Sequence, residues 1–152
     1  MKPSWFLLML ACILFPVAPV SAEDAPASRD DAVKMVKDAV AELASEGHFK
    51  TMNDISDPKS KYHKGDLYLV AENIDGKCVA NGINPSLIGK SGMTVKDVDG
   101  KAYIAERVAL AKDQTSFWQE YKNVNPITHA VSAKQSYCET ADDLIICGGV
   151  YK

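Results

Sequence analysis

Among the four cysteines there is no C-x-x-C pair and no C-x-x-C-H run. A thioredoxin-like redox site and a covalent haem site therefore lack their signatures. The formal net charge is −3 with no basic cluster, which removes the electrostatic footprint expected of a nucleic-acid or anionic-membrane binder. His48, His63 and His129 are scattered, and none has a second ligand at metal spacing. No serine sits in a nucleophile-elbow context, and no glycine-rich loop is built to cradle phosphate. "VDGK" at Val98–Lys101 lacks the acidic ladder of an EF-hand, and Asp97, Asp99, Asp142 and Asp143 stand in turn sequences where aspartate serves the backbone. There is no internal repeat. These absences leave no positive case for catalysis, a metal or a cofactor, and the expectation is a protein that is not an enzyme.

A second apolar run of membrane-spanning length is also missing. The first, "WFLLMLACILF" from Trp5 to Phe15, follows Lys2, the only charge before Glu23. Pro16 and Pro19 interrupt it, and Val20-Ser21-Ala22 forms a small-residue cleavage site ahead of "ED". The run falls short of the roughly 20 residues a spanning helix needs. The expectation is a signal peptide over 1–22, the alternative an uncleaved anchor. Cleavage after Ala22 leaves 130 of the 152 residues, enough for one domain with its own core, and takes the net charge to −4 with the loss of Lys2. The expected organisation is signal peptide 1–22, linker 23–29 and a single domain 30–152, periplasmic or secreted. Export permits disulfides, and the mature chain keeps Cys78, Cys138 and Cys147.

Ser28 opens "SRDD", a helix-start pattern, and Gly47 is a stop. Between them Val33, Val36, Val40 and Leu43 share one helical face, which either packs on its own domain or forms a dimer seam. "TMNDISDPKSKYHKG" reads as polar and turn-rich. "DLYLVAEN" and the segment after Asp75-Gly76 read as two strands of a hairpin. With Asp75 and Gly76 as a two-residue loop, Glu72 faces Val79 and Val70 faces Asn81, so Tyr68 and Asn81 share a face. "KAYIAERVALAK" is a second helix with Ile104, Val108 and Ala111 on one side. "SFWQEYKN", "AVSAKQSYCET" and "LIICGGVYK" complete five strands. Helix, two strands, helix and three strands make an α+β domain.

The last hairpin carries the most chemistry. If Asp142-Asp143 is the turn, Cys138 faces Cys147, Ser136 faces Gly149 and Lys134 faces Tyr151, all on one face. Facing cysteines read either as a disulfide or as two small buried thiols, with Cys78 left over. Lys134 reads either as a solvated strand lysine or as a carboxylate partner. Beside it stand the Tyr151 phenol and the gap left by Gly149. Trp118 and Tyr121 lie an odd number of residues apart, so an undistorted strand sends them to opposite faces.

Five segments in order resemble the single Cache domain, the small PAS-like sensor domain found outside the membrane in bacterial chemoreceptors and sensor kinases. They are "NDISDPKSKYHKGDLYLV", "NIDGKCVANGINPSLIGK", "VKDVDGKAYI", "SFWQEYKNVNP" and "AKQSYCETADDLIICGGVYK". The resemblance implies a long N-terminal helix and a central five-stranded antiparallel sheet. It also implies a pocket for a short carboxylate on the sheet face away from that helix. The family's pocket positions carry over onto Tyr68, Trp118, Tyr121, Lys134 and Tyr137, with Lys134 as the carboxylate partner. Where the family usually has histidine this sequence has Asn81, which can donate and accept a hydrogen bond but carries no charge. In receptors the last strand leads into a membrane helix. Here the sequence stops at Lys152, so the expectation is a small-organic-acid sensor that reports to a separate membrane receptor or kinase. Its expected state is a monomer or weak homodimer. The alternative is an exported interaction or structural protein with this fold and no functional pocket.

Overall fold

The computed structural model describes residues 26–152, so the signal peptide and its cleavage site lie outside the described residues. Helix α1 spans Arg29–Glu46 and begins with a full capping box. The Ser28 side chain accepts from the Asp31 backbone, and Asp31 accepts from the Ser28 N–H at 2.8 Å. Gly47 ends the helix at φ 82°. Val36 and Leu43 are buried, and Val33 and Val40 pack against the same cluster, so the stripe faces this domain's own sheet.

Helix α2, His48–Ser56, was not expected from the sequence. It has no side-chain cap, and its residues are mostly polar. Burial of Thr51, Met52 and Ile55 supports it instead, so tertiary contact overrides weak local signals.

The strands are β1 His63–Lys64, β2 Leu67–Asn73, β3 Cys78–Asn81, β4 Ser116–Val124, β5 Val131–Ala141 and β6 Leu144–Tyr151. Helix α3, Tyr103–Asp113, lies between β3 and β4. All pairings are antiparallel in the order β1-β2-β6-β5-β4, with β3 also on β2. The five expected strands are present, and the two-residue β1 is additional.

The two faces of the sheet have different coverings. Leu67, Leu69, Ile146 and Val150 point to the α1 side and form the main core with Val36, Ala39 and Ile55. Gly148 makes that close approach feasible, since a Cβ there would lie 2.7 Å from a Leu69 methyl and 3.2 Å from one of Val36. The opposite face carries a smaller cluster of Val108, Phe117, Ile145 and the bonded pair Cys138–Cys147, which covers one end of the sheet. The other end of that face is open.

The β2–β3 hairpin departs from the expected register near its turn. Asn73 Oδ1 accepts from the N–H groups of Asp75 and Lys77, at 3.1 and 2.9 Å, and Gly76 takes φ 74°. The loop is therefore Ile74-Asp75-Gly76, closed by the Asn73 N–H donating to the Lys77 carbonyl. Glu72 consequently pairs with Cys78, not Val79. A bulge at Val79 absorbs the one-residue difference, and Val70 still faces Asn81.

Candidate functional site

A cavity of about 490 Å³ opens on the sheet face away from α1. Its floor is β2, β4 and β5, one wall is α3, and the segment between β3 and α3 supplies the other through Ile83, Leu87 and Val95.

Lys134 projects into the cavity from β5. Its partner residues are Tyr121 on β4 and Tyr151 on β6. The side chain is 2% exposed, with Nζ 3.7 Å from the centre of the Tyr68 ring and 4.8 Å from that of Tyr151. Among the described residues no carboxylate lies within ion-pair distance of it. Burial pulls its pKa down to about 7, the nearby Arg107 charge adds to the fall, and Asp66 opposes it. The same burial pushes the Tyr151 phenol up to about 12.

Gly149 makes this placement feasible. A Cβ there would meet Ser136 Oγ, the Gln135 carbonyl oxygen at 2.8 Å and Lys134 Cε at 2.9 Å. The gap expected beside Lys134 is therefore filled by the lysine's own stem. The consecutive glycines serve opposite faces, Gly148 admitting the helix-side core and Gly149 the lysine.

A second charged group lies at the α3 wall. Arg107 is 1% exposed and donates from Nη1 to Glu72 Oε1 at 2.8 Å and from Nε to Gln119 Oε1 at 3.2 Å. Its guanidinium lies near Tyr103 and Tyr121, whose rings stack at 4.3 Å with 3° between their planes. Burial, the largest single influence, would lower the Arg107 pKa, but the Glu72 charge, the hydrogen bond to Glu72 and the neighbouring Tyr121 together outweigh it, so the pKa ends above its usual value and the group stays cationic. Arg107 Nη2 and Glu72 Oε2 are buried without a hydrogen-bond partner among the described residues.

Asn81 is at the cavity and 8% exposed. Its Oδ1 accepts from the backbone N–H groups of Ile83 and Asn84, at 3.0 and 2.7 Å, and so pins the start of the wall segment. Only its Nδ2 is left to face a ligand. Cys78 is a free thiol at the cavity, and burial raises its pKa to about 11, so it stays protonated.

Two of the expected positions belong elsewhere. Trp118 and Tyr137 pair across β4 and β5 and face α1, with ring centroids 5.4 Å apart. The Arg29 guanidinium lies 3.8 Å from the centre of the Trp118 ring, and the Tyr137 hydroxyl donates to Glu139. They join the main core because Trp118 alternates with Tyr121 and Tyr137 with Lys134 on undistorted strands. The cavity brings together Tyr68, Asn81, Tyr121 and Lys134 and excludes Trp118 and Tyr137.

Residues 51–151 match the family model described as Single Cache domain 2. The chain belongs to this family. No curated protein matches it. Solved structures that share the fold of this Cache domain include the following three. One is a methyl-accepting chemotaxis protein from Vibrio parahaemolyticus RIMD 2210633, with 19% identity, 81% of this chain and 87% of that chain covered, and a TM-score of 0.69. A periplasmic sensor domain of a chemotaxis protein gives 19% identity, coverage of 80% and 88%, and a TM-score of 0.65. A Cache chemosensory domain described by its carboxylic acid recognition gives 22% identity, coverage of 80% and 86%, and a TM-score of 0.63.

Arg107, Glu72 and Tyr103 of this Cache domain were missed from the sequence. A signal was present for each charge. Arg107 lies three residues after Ile104 and one before Val108, on the apolar side of its helix. Glu72 lies two residues from Val70 and four from Tyr68 on the same strand and so shares their face.

Proposed function

We propose that this Cache domain is a sensor module outside the cytoplasmic membrane that binds a short organic acid, with the ligand carboxylate on Lys134. One observation carries the reading: a buried amine, without a carboxylate partner among the described residues, lines an open cavity of about 490 Å³. An ammonium in such a place is costly until an anion joins it. A ligand carboxylate supplies that anion and a charge-assisted hydrogen bond. Tyr68, Tyr121 and the Asn81 amide form the remaining contacts. The carboxylic acid recognition named for a Cache domain of the same fold supports the same ligand class.

Occupancy is relayed to a receptor or kinase partner, in keeping with the chemotaxis proteins that share the fold. Residues 1–22 are removed as a signal peptide, and an intact mass beginning at Glu23 is the expected product. A purely structural role would suit a filled core, and the open cavity favours binding.

The test is a thermal-shift screen of the mature protein against short organic acids. A ligand that binds only the folded state raises Tm by mass action, increasingly as its concentration exceeds Kd. A flat response across mono- and dicarboxylates from acetate to hexanoate refutes the proposal.

A further inference from the structure

Arg107 and Glu72 share a single hydrogen bond, Nη1 to Oε1, where a fork-on-fork pair would share two. This leaves one donor atom, Nη2, and one acceptor atom, Oε2, both buried and unpartnered among the described residues. Both side chains line the cavity that holds Lys134. Buried polar atoms left unpaired carry a desolvation penalty, and a ligand that pairs them recovers it.

The chemistry of that ligand group follows from the two atoms. A carboxylate would satisfy Nη2 but meet the Glu72 charge. An ammonium would satisfy Oε2 but meet the guanidinium. A ketone would accept from Nη2 and leave Oε2 unpaired. A hydroxyl accepts from one and donates to the other without adding charge. The near-complete burial of the pair also favours a single oxygen over a hydrated ion.

We infer that the ligand is a hydroxylated monocarboxylate whose carboxylate meets Lys134 and whose hydroxyl, at the other end of a short chain, bridges Arg107 Nη2 and Glu72 Oε2. The inference rests on the proposed carboxylate site at Lys134. The charge inventory agrees with it. Arg107 and Glu72 cancel, so one anionic group balances Lys134, while Lys90 stands exposed at the rim. The two ends lie at different positions along the cavity. Lys134 lies over Tyr68, and Glu72 is four residues further along β2, roughly 13 Å between α-carbons. The chain that joins the carboxylate to the hydroxyl spans these two positions, and chains of different length are compared below.

The test is calorimetric titration of the wild-type protein with matched pairs. Butanoate, pentanoate and hexanoate are compared with their terminal hydroxy acids and terminal amino acids. At least one hydroxy acid is expected to bind about tenfold or more tightly than its plain counterpart, and the amino acids more weakly than either. Glu72→Gln is expected to collapse the hydroxy-to-plain affinity ratio towards one, a readout that loss of folding stability alone does not move. Equal affinity within every pair overturns the hydroxyl inference and leaves the carboxylate site standing. Absence of binding by all the acids overturns the carboxylate site and the hydroxyl inference with it.

Discussion

Replacing Lys134 with methionine separates the fold from the site. The change keeps most of the stem that lies over Gly149 and removes the amine. In the folded state the amine titrates at about 7, against 10.5 for an ordinary lysine. Between those two values the unfolded chain binds more protons than the folded one, so stability rises with pH across that window and is flat below it. At about 1.4 kcal/mol per pH unit, Lys134 makes the wild type about 2 kcal/mol more stable near pH 9 than near pH 7. Near pH 7 the buried amine costs on the order of 4 kcal/mol. Against this stand contacts with the Tyr68 and Tyr151 rings, worth about 1–2 kcal/mol. Lys134→Met is therefore expected to stabilise the ligand-free protein by about 2–3 kcal/mol near pH 7 while abolishing acid binding. Urea unfolding under non-reducing conditions, followed by tryptophan fluorescence at both pH values, reads the first effect, and calorimetric titration reads the second. Taking the difference between variant and wild type cancels the titration of Cys78 and the tyrosines. A variant less stable than wild type near pH 7, or one with an unchanged pH slope, refutes the description of Lys134 as a buried, uncompensated amine.

Acid binding near pH 8 should draw a proton onto Lys134, which is mostly neutral in the empty site and charged beside a carboxylate. Calorimetry in two buffers of different ionisation enthalpy should give an uptake close to one proton near pH 8 and little near pH 6, and equal values at the two would contradict the assignment. Gly149→Ala should cost about 1–3 kcal/mol in urea unfolding and weaken acid binding, because the new methyl displaces Lys134 and Ser136; wild-type affinity in that variant would mean the lysine stem does not rest there. Non-reducing peptide mapping should recover Cys138 linked to Cys147 with Cys78 alkylated as a free thiol. Removing the bridge by a double alanine substitution should cost about 2–3 kcal/mol, and a peptide joining Cys78 to Cys138 or Cys147 would break the β5–β6 register.

The sequence by itself determined the features that depend on neighbours along the chain. The Ser28–Asp31 box and Gly47 bound α1, because a helix end is closed by residues within one turn of it. The Asp142-Asp143 turn set the β5–β6 register, and with it the pairs Lys134–Tyr151, Ser136–Gly149 and Cys138–Cys147. A two-residue loop and a period of two leave no freedom there once the turn is located. The same period separated Trp118 from Tyr121 but could not say which of them faced the cavity. That assignment needed α1 to be laid across one side of the sheet, and it sent Trp118 and Tyr137 into the core. The β2–β3 turn was misread because the Asn73 side chain, not the Asp-Gly pair alone, set the loop length. A bulge at Val79 then restored the pairing of Val70 with Asn81. Helix α2 and the Arg107–Glu72 pair were decided only by tertiary structure. The helix exists because the sheet buries one face of it. The ion pair joins residues 35 positions apart, whose meeting depends on how α3 packs over β2.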